Sequence, residues 1–427
     1  MLNVESLYES LASSFAHSGD GKSTLITRAE QLTRSQEPVS QHVTSEELRL
    51  KFTEHVGMSS VVVVEDRRPI GMVNRNTFME QYARPYAREL YGSKSCVHFM
   101  DAKPLIVDVG TPVETLVRAA VESGGKVLTD GYITTQHGDY AGIGSGFDLI
   151  KAMSEIEAEK TRQLMSSISY ASLIQRSHLV ESDQVLRNDI GAYALMWQPR
   201  DVVGGDAYFF RKVGDGVFGC VFDCTGHGVP GAFMTLIVLS FLEQQVHPGT
   251  TGIQPGELLA QLNAYIKRVL RQPDRHASDM ARGEKSSNDG LDAAMFVLSA
   301  DQQSMRFASA KLVLLLARKD GSDVVQIDGE RIAIGYSDTL LASRWPTHEV
   351  TLGPDCLVVI PTDGVIDQIG EAKRIAHGKK RLVRFLQENR DARVAAWLSD
   401  FDENFTAWQG RQKRRDDVTM LAFRTPA

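Results

Sequence analysis

The run GGDAYFFRKVGDGVFGCVFDCTGHG, residues 204–228, decides the fold. Two strongly apolar stretches, AYFF and VFGCVF, flank a turn at Gly214 to Gly216, the pattern of an antiparallel hairpin. Asp206 stands at the outer end of the first stretch and Asp223 at the outer end of the second. Two further aspartates repeat that placement, Asp363 just after the apolar run VVIP and Asp416 just before VTMLAF. Strand ends are where a buried sheet meets solvent, so the four carboxylates are expected to converge there. Close carboxylates repel and raise one another's pKa unless a cation neutralises them, and a hard, all-oxygen site of this kind suits Mg2+ or Mn2+. The chain therefore reads first as a metalloenzyme.

Working outward, FVLSADQQSMRFASA and VLLLARKDGSDVVQI repeat the hairpin device with polar or glycine-containing turns. Helices are expected at 231–245, 255–271, 379–389 and 392–408. Hairpins imply antiparallel sheets, and amphipathic helices would cover them. The polar stretch from Gln272 to Asp289 is expected to form a mobile flap.

Upstream, residues 1–36 read as an amphipathic helical segment followed by a polar one. They contain GDGKST, but Ala16 stands where a phosphate loop needs its first glycine, and no apolar strand precedes it. Residues 37–150 alternate helix, strand, strand and helix twice. In the first copy a helix near 45–55 leads to the strand SSVVVVED, a turn at Arg67 to Pro69, the strand IGMVN and a helix from about Arg75. In the second, Pro112 opens a helix, VLTD is a strand, and YAGIGSGFDLIKAM runs from strand into helix. Residues 149–180 form a long helix without Pro or Gly, whose apolar positions fit either a parallel two-stranded connector or a helix packed on its own domain.

The repeated units resemble a tandem pair of cystathionine beta-synthase (CBS) domains, modules that commonly sense adenosine-containing ligands. Gly144, Ser145 and Asp148 match that family's G-[ST]-x-x-D segment. The resemblance implies a hydroxyl near phosphate at a helix N-terminus and an Asp accepting from ribose hydroxyls, although Ser145 is equally suited to capping its helix. Asn74 and Thr77 occupy the corresponding places of the first copy. The ordered motifs GGD, D-x-x-GHG-x-P-[GA]-A, TDG and DDVT resemble the SpoIIE-like branch of the protein phosphatase 2C (PP2C) superfamily over about 230 residues. By that resemblance, Asp206, Asp223, the Cys224 carbonyl, Asp363 and Asp416 form a catalytic centre holding two or more Mn2+ or Mg2+ ions, with Asp417 in support. His227 either donates a proton to the leaving group or orients water, or, in the preferred reading, makes a local structural hydrogen bond. LDAAMF and Ser309 to Lys311 (SAK) depart from the commoner pattern of a Thr in that strand and an AGH motif. They look like the SiaA-like subgroup, in which Asp292, and second to it Asp289, are candidates for an additional metal.

Composition bounds the remainder. A chain of 427 residues is long enough for two to three units. Lys and Arg number 47 against 54 Asp and Glu, a net charge of -7 that argues against bulk nucleic-acid binding and disfavours a metal-dependent nuclease. Cys96, Cys220, Cys224 and Cys356 are too scattered for a disulfide framework, and the C-x3-C pair has no second half at zinc spacing. No secretion signal or membrane-spanning run is evident, so a soluble cytoplasmic protein is expected.

The expected fold is α+β: a C-terminal antiparallel β-sandwich flanked by helices, an N-terminal α/β CBS pair and a long helical connector. Its divisions are 1–36, 37–150, 151–188 and 189–427. The expected activity is a phosphoserine/phosphothreonine protein phosphatase regulated by the paired domains, dephosphorylating a small antagonist-type regulatory protein in a bacterial partner-switching circuit. An adenine nucleotide at Ser145 and Asp148 is the candidate regulator. A homodimer through the pair and connector is expected, with no nucleic-acid partner and no membrane insertion. The competing expectation is a catalytically silent, nucleotide-sensing scaffold.

Overall fold

The computed structural model describes residues 26–272, 274, 288–372 and 374–427. The expectations for GDGKST and for most of the 272–289 flap lie outside the described residues. The chain divides into two compact units, Met1–Leu164 and Met165–Ala427.

The first unit contains two copies of one strand pattern. In the first copy β2 (Val39–Ser40) runs parallel to β3 (Ser60–Glu65), which pairs antiparallel with β4 (Arg68–Asn74). In the second, β5 (Ile106–Asp108) runs parallel to β6 (Tyr132–Gln136), which pairs antiparallel with β7 (Asp139–Gly144), and β1 (Thr33–Arg34) adds to the far edge of β7. The register slips at Val63/Val64 in one hairpin and at Thr134/Thr135 in the other. Each parallel step is crossed by a helix, Ser45–Glu54 and Val113–Glu122. The first of these is set by a capping box, Thr44 and Glu47 satisfying each other's backbone N–H.

The continuous apolar run of β3 follows from burial on both faces. Val61 and Val63 pack with Leu48 and Phe52, while Val62 packs with Met72, Ile133 and Ile143, joining the two copies. One expected element changes type: VLTD is not a strand but part of the helical turn Lys126–Asp130. Its short apolar stretch buries only Val127 and leaves Leu128 exposed, and Gly131, at φ 86°, ends the turn before β6 begins.

The long helix spans Gly146–Val185 and continues as a π-helical turn, Leu186–Ile190, before Gly191. It is longer at both ends than the Pro- and Gly-free stretch suggests, because glycine at the first position is tolerated where Ser145 caps: its Oγ accepts from the Phe147 N–H at 3.2 Å.

The second unit is built on two five-stranded antiparallel sheets. One has the order β15-β12-β11-β10-β9, with β9 Asp206–Val213, β10 Gly216–Cys224, β11 Leu291–Ser299, β12 Ser304–Ala310 and β15 His348–Thr351. The other has the order β14-β13-β16-β17-β8, with β8 Tyr193–Gln198, β13 Val313–Ala317, β14 Val325–Asp328, β16 Leu357–Pro361 and β17 Val418–Arg424. Alternation along the second sheet separates its faces. Leu314, Leu316, Val358, Ile360, Leu421 and Phe423 join the core shared with the first sheet, while Leu315, Val359 and Met420 join a second core. Helices Gly378–Glu388 and Val394–Gln409 bring Leu382, Leu386, Trp397 and Phe401 to that second core. Helices Gly228–Gln245 and Pro255–Val269 bring Val238, Leu239, Leu259 and Leu262 to the first. Helix, sheet, sheet, helix is the α+β sandwich expected from the hairpins.

Candidate metal centre and active site

The hairpin register assembles the first part of the site. In the β9–β10 ladder Asp206 lies opposite Asp223, and in the β10–β11 ladder Asp223 lies opposite Asp292. Directly opposed residues point to the same face, so three carboxylates form a row across three strands. Phe210, four residues from Asp206 on the same face, meets Phe296 edge-on, and Phe296 stacks on Phe423 of the second sheet. The row therefore faces the space between the sheets, at its end.

The second sheet supplies the other half. Thr362 and Asp363 follow β16, with Asp363 opening the helical turn Asp363–Asp367, and Asp416 and Asp417 precede β17. Thr362 Oγ1 donates to Asp206 Oδ2 at 2.7 Å and accepts from the Thr419 N–H at 3.0 Å. The Asp417 carboxylate accepts from the Arg200 and Gly205 N–H groups, each at 2.6 Å. The glycine pair before Asp206 follows from this crowding: a Cβ on Gly204 would stand 2.9 Å from the Asp417 carboxylate, and one on Gly205 2.7 Å from the Cys224 carbonyl oxygen.

Burial and like charge set the electrostatics. Asp206 is 1% exposed, and its Oδ1 has no hydrogen-bond partner. Burial pushes its carboxyl up to about 7, against the pull of the Thr362 hydroxyl and with the help of Asp417. Asp223 is raised well above the ordinary range, first by burial and then by Asp206 and Asp363. Asp363 is raised by burial, with Asp416 and Asp367 adding to it. The carboxylates thus influence one another in a chain, Asp417 to Asp206 to Asp223 to Asp363 to Asp416. Among the described residues no three His, Cys, Asp or Glu side chains are drawn together at metal-holding spacing.

A cleft of about 390 Å³ opens beside Asp363 and Asp416, lined also by Asp367, Ile369 and Arg415. His227, four residues after Asp223, has its Nδ1 2.7 Å from Asp201 Oδ2. Asp292 is paired with Lys311, Nζ to Oδ1 3.3 Å; burial raises its carboxyl to about 6 despite the lysine. Asp289 bonds through its backbone to the Gln272 side chain at both ends.

In the first unit, the nucleotide candidates have protein partners. Asp148 is ion-paired with Arg34 at 2.6 Å, and the cleft beside it, about 240 Å³, is lined by Gln31, Lys151 and Glu155 among others. Asn74 caps its helix through the Thr77 N–H and donates to Asp130.

Sequence reasoning missed three groups around the centre. Thr362 sits inside the TDG motif, where a hydroxyl before the Asp was a usable signal. Asp367 was legible as the residue four places after Asp363, one helical turn on. Gln175 gave no signal: it is 1% exposed and donates to the Gly204 carbonyl at 2.8 Å and Thr235 Oγ1 at 3.0 Å from the long helix.

Comparison with known proteins places this arrangement. Residues 214–426 match the family described as Stage II sporulation protein E (SpoIIE). The solved SiaA-PP2C domain of Pseudomonas aeruginosa is 30% identical with a TM-score of 0.54, over 62% of this chain and 99% of that domain. The chain belongs to the SpoIIE-like PP2C phosphatase family. It is an enzyme of the serine/threonine phosphatase class. The RsbU and RsbW domains of a Mycobacterium tuberculosis protein are similar at 20% identity and TM-score 0.43, over 55% of this chain and 60% of that one. A Bacillus subtilis SpoIIE structure, its phosphatase domain with a fragment of the regulatory domain, is 16% identical with a TM-score of 0.42, over 55% of this chain and 61% of that one. No curated protein sequence matches. Among the described residues no helix of this PP2C-like chain is long and apolar enough to cross a membrane.

Proposed function

We propose that this SpoIIE-like phosphatase is dependent on Mn2+ or Mg2+ and removes phosphate from a serine or threonine of a small antagonist-type regulatory protein in a bacterial partner-switching circuit. The observation that carries the metal reading is the buried, unpartnered Oδ1 of Asp206 in a chain of carboxylates that raise one another's pKa. Such a set is costly without a cation and well matched to hard divalent ions. Asp206, Asp223, the Cys224 carbonyl, Asp363 and Asp416 are the groups that would hold two ions. When bound, the ions would neutralise the carboxylates, polarise a phosphoryl oxygen and acidify water at neutral pH.

The chain's own groups prepare that centre. Thr362 fixes the rotamer of Asp206, and Asp417 fixes the Gly205 backbone that carries it. The cleft beside Asp363 offers Arg415 to a phosphorylated segment, a planar donor suited to phosphate oxygens. The substrate class is supported by the family's association with regulatory phosphoproteins.

The division of labour proposed is a CBS pair at 37–150, a connector at 151–188 and the phosphatase at 189–427. The two-copy strand pattern, with its register slip at corresponding places, supports the pair. An adenine nucleotide at Ser145 and Asp148 would share the carboxylate with Arg34. Exposed Leu164, Met165 and Tyr170 on the long helix support a homodimer through the connector. A cytoplasmic location completes the reading.

The test is release of phosphate from a chromogenic ester with Mn2+ against chelator. Asp206→Ala and Asp363→Ala should each abolish Mn2+-dependent turnover while keeping the far-ultraviolet dichroism of the parent; full turnover in both would sink the assignment. Titration calorimetry with AMP and ATP on the parent and Asp148→Ala tests the nucleotide, and heat that is unchanged in the variant would remove Asp148 from the site.

A further inference from the structure

Two segments that depart from the commoner family pattern, LDAAMF and Ser309 to Lys311, meet in space through Asp292 and Lys311. The row Asp206, Asp223, Asp292 crosses β9, β10 and β11, and the β11–β12 ladder ends at Ala293 opposite Ala310. One further step along the same row falls on Lys311, whose Nζ lies 3.3 Å from Asp292 Oδ1. A file of three carboxylates therefore ends at an ammonium group.

The lysine's backbone is held in an unusual conformation to do this. Its φ is 65°, the left-handed region that is unfavourable for a residue with a long side chain. The Lys311 N–H donates to the Glu330 carbonyl at 2.8 Å, and the adjacent Ser309 Oγ donates to the Leu312 carbonyl at 2.7 Å. The Lys311 Nζ also stands 5.9 Å from the Tyr336 ring centre, and Tyr336 is hydrogen-bonded to Thr225, two residues beyond Asp223.

We propose that Lys311 is a built-in cation occupying the place beside Asp292 that an additional divalent ion would otherwise take, so that Asp292 positions the lysine and is not itself a metal ligand. The inference rests on the metal-centre reading above and excludes an additional ion at Asp292. A carboxylate facing into an acidic cluster needs one neutralising charge, and a fixed ammonium within about 4 Å repels a second cation from the same oxygens. Asp292 without Lys311 would be one more buried anion in the row; Lys311 without Asp292 would lose its anionic partner.

The experiment counts Mn2+ bound per full-length chain by equilibrium dialysis at saturation. Lys311→Met should bind one ion more than the parent, Lys311→Arg the same number as the parent, and the double variant Lys311→Met with Asp292→Asn should return to the parental number. Tryptophan fluorescence and far-ultraviolet dichroism establish that each variant is folded. An unchanged count in folded Lys311→Met overturns the inference and leaves the metal centre standing. So does an extra ion that survives in the double variant, since it then lies elsewhere. A parent that binds no Mn2+ overturns the metal-centre reading, and this inference with it.

Discussion

Replacing Thr362 with valine isolates the hydrogen bond that orients the central carboxylate. The side chain is fully buried, and valine keeps its branched shape while deleting one hydroxyl. That hydroxyl donates to Asp206 Oδ2 at 2.7 Å and accepts from the Thr419 N–H at 3.0 Å. Asp206 Oδ1 has no partner, so the deletion removes the 2.7 Å hydrogen bond that orients the carboxylate. A hydrogen bond to a charged group contributes about 1.5–3 kcal/mol, and an orphaned buried N–H costs about 1–3 kcal/mol. Since burial raises the Asp206 carboxyl to about 7, only part of the population carries the charge near neutrality, which lowers the first figure. The expected loss for Thr362→Val in chelator is therefore about 2–4 kcal/mol, and Thr362→Ser, which keeps the hydroxyl, should lose only about 1 kcal/mol. All four tryptophans, Trp197, Trp345, Trp397 and Trp408, lie in the phosphatase unit, so urea unfolding followed by their fluorescence reports on that unit. A valine variant within about 0.5 kcal/mol of the parent would refute the argument, because that is the scale of substitutions that touch nothing specific.

Three other perturbations probe neighbouring links. Gly205→Ala places a Cβ 2.5 Å from the Gly226 carbonyl oxygen and 2.7 Å from that of Cys224, both immovable backbone, and should abolish turnover; an active variant would show that this backbone approach is dispensable. Gln175→Leu removes donors to the Gly204 carbonyl and Thr235 and should cost about 1–3 kcal/mol with a fall in kcat; a destabilised variant with unchanged kcat would reduce Gln175 to packing. His377, buried against Phe401, Phe405 and Trp408, has its pKa lowered to about 4 by burial and by Arg381. The unfolded chain binds the proton between about 6.5 and 4 and the folded chain does not, so stability is full above that window and falls by up to about 3 kcal/mol as pH drops through it. His377→Phe should flatten this slope in urea midpoints measured at pH 7, 5.5 and 4.5, and an unchanged slope would assign the acid sensitivity elsewhere.

The hairpins of the phosphatase unit were legible because both faces of each sheet are covered. AYFF and VFGCVF could be continuous and apolar only as doubly buried strands, and glycines marked the turn between them. VLTD was misread because four residues hold no period that separates strand from helix. The four aspartates were legible from their place at strand ends, but the groups that hold them were not. Thr362 lies 156 residues from Asp206, Asp417 lies 212 from Gly205, and Gln175 lies 29 from Gly204 on another element. Such partnerships arise from the packing of elements distant in sequence and leave no local pattern.

The row of carboxylates depends on register, and register depends on the turn. Asp206 and Asp223 oppose each other because exactly two residues, Gly214 and Asp215, separate β9 from β10. Gly216 holds φ 151°, and a Cβ there would lie 1.9 Å from the Leu298 carbonyl oxygen, so the turn fixes β10 against β11 as well as against β9. A slip of one residue in either ladder would send an aspartate to the opposite face of the sheet. The glycine-marked turn that identifies the fold in the sequence is thus also what aligns Asp206, Asp223 and Asp292, some 25 Å of strand away at the other end of the hairpin by the rise of about 3.3 Å per residue. Fold and site are here one constraint: the same pairing that buries the sheet also sets the spacing of its charges.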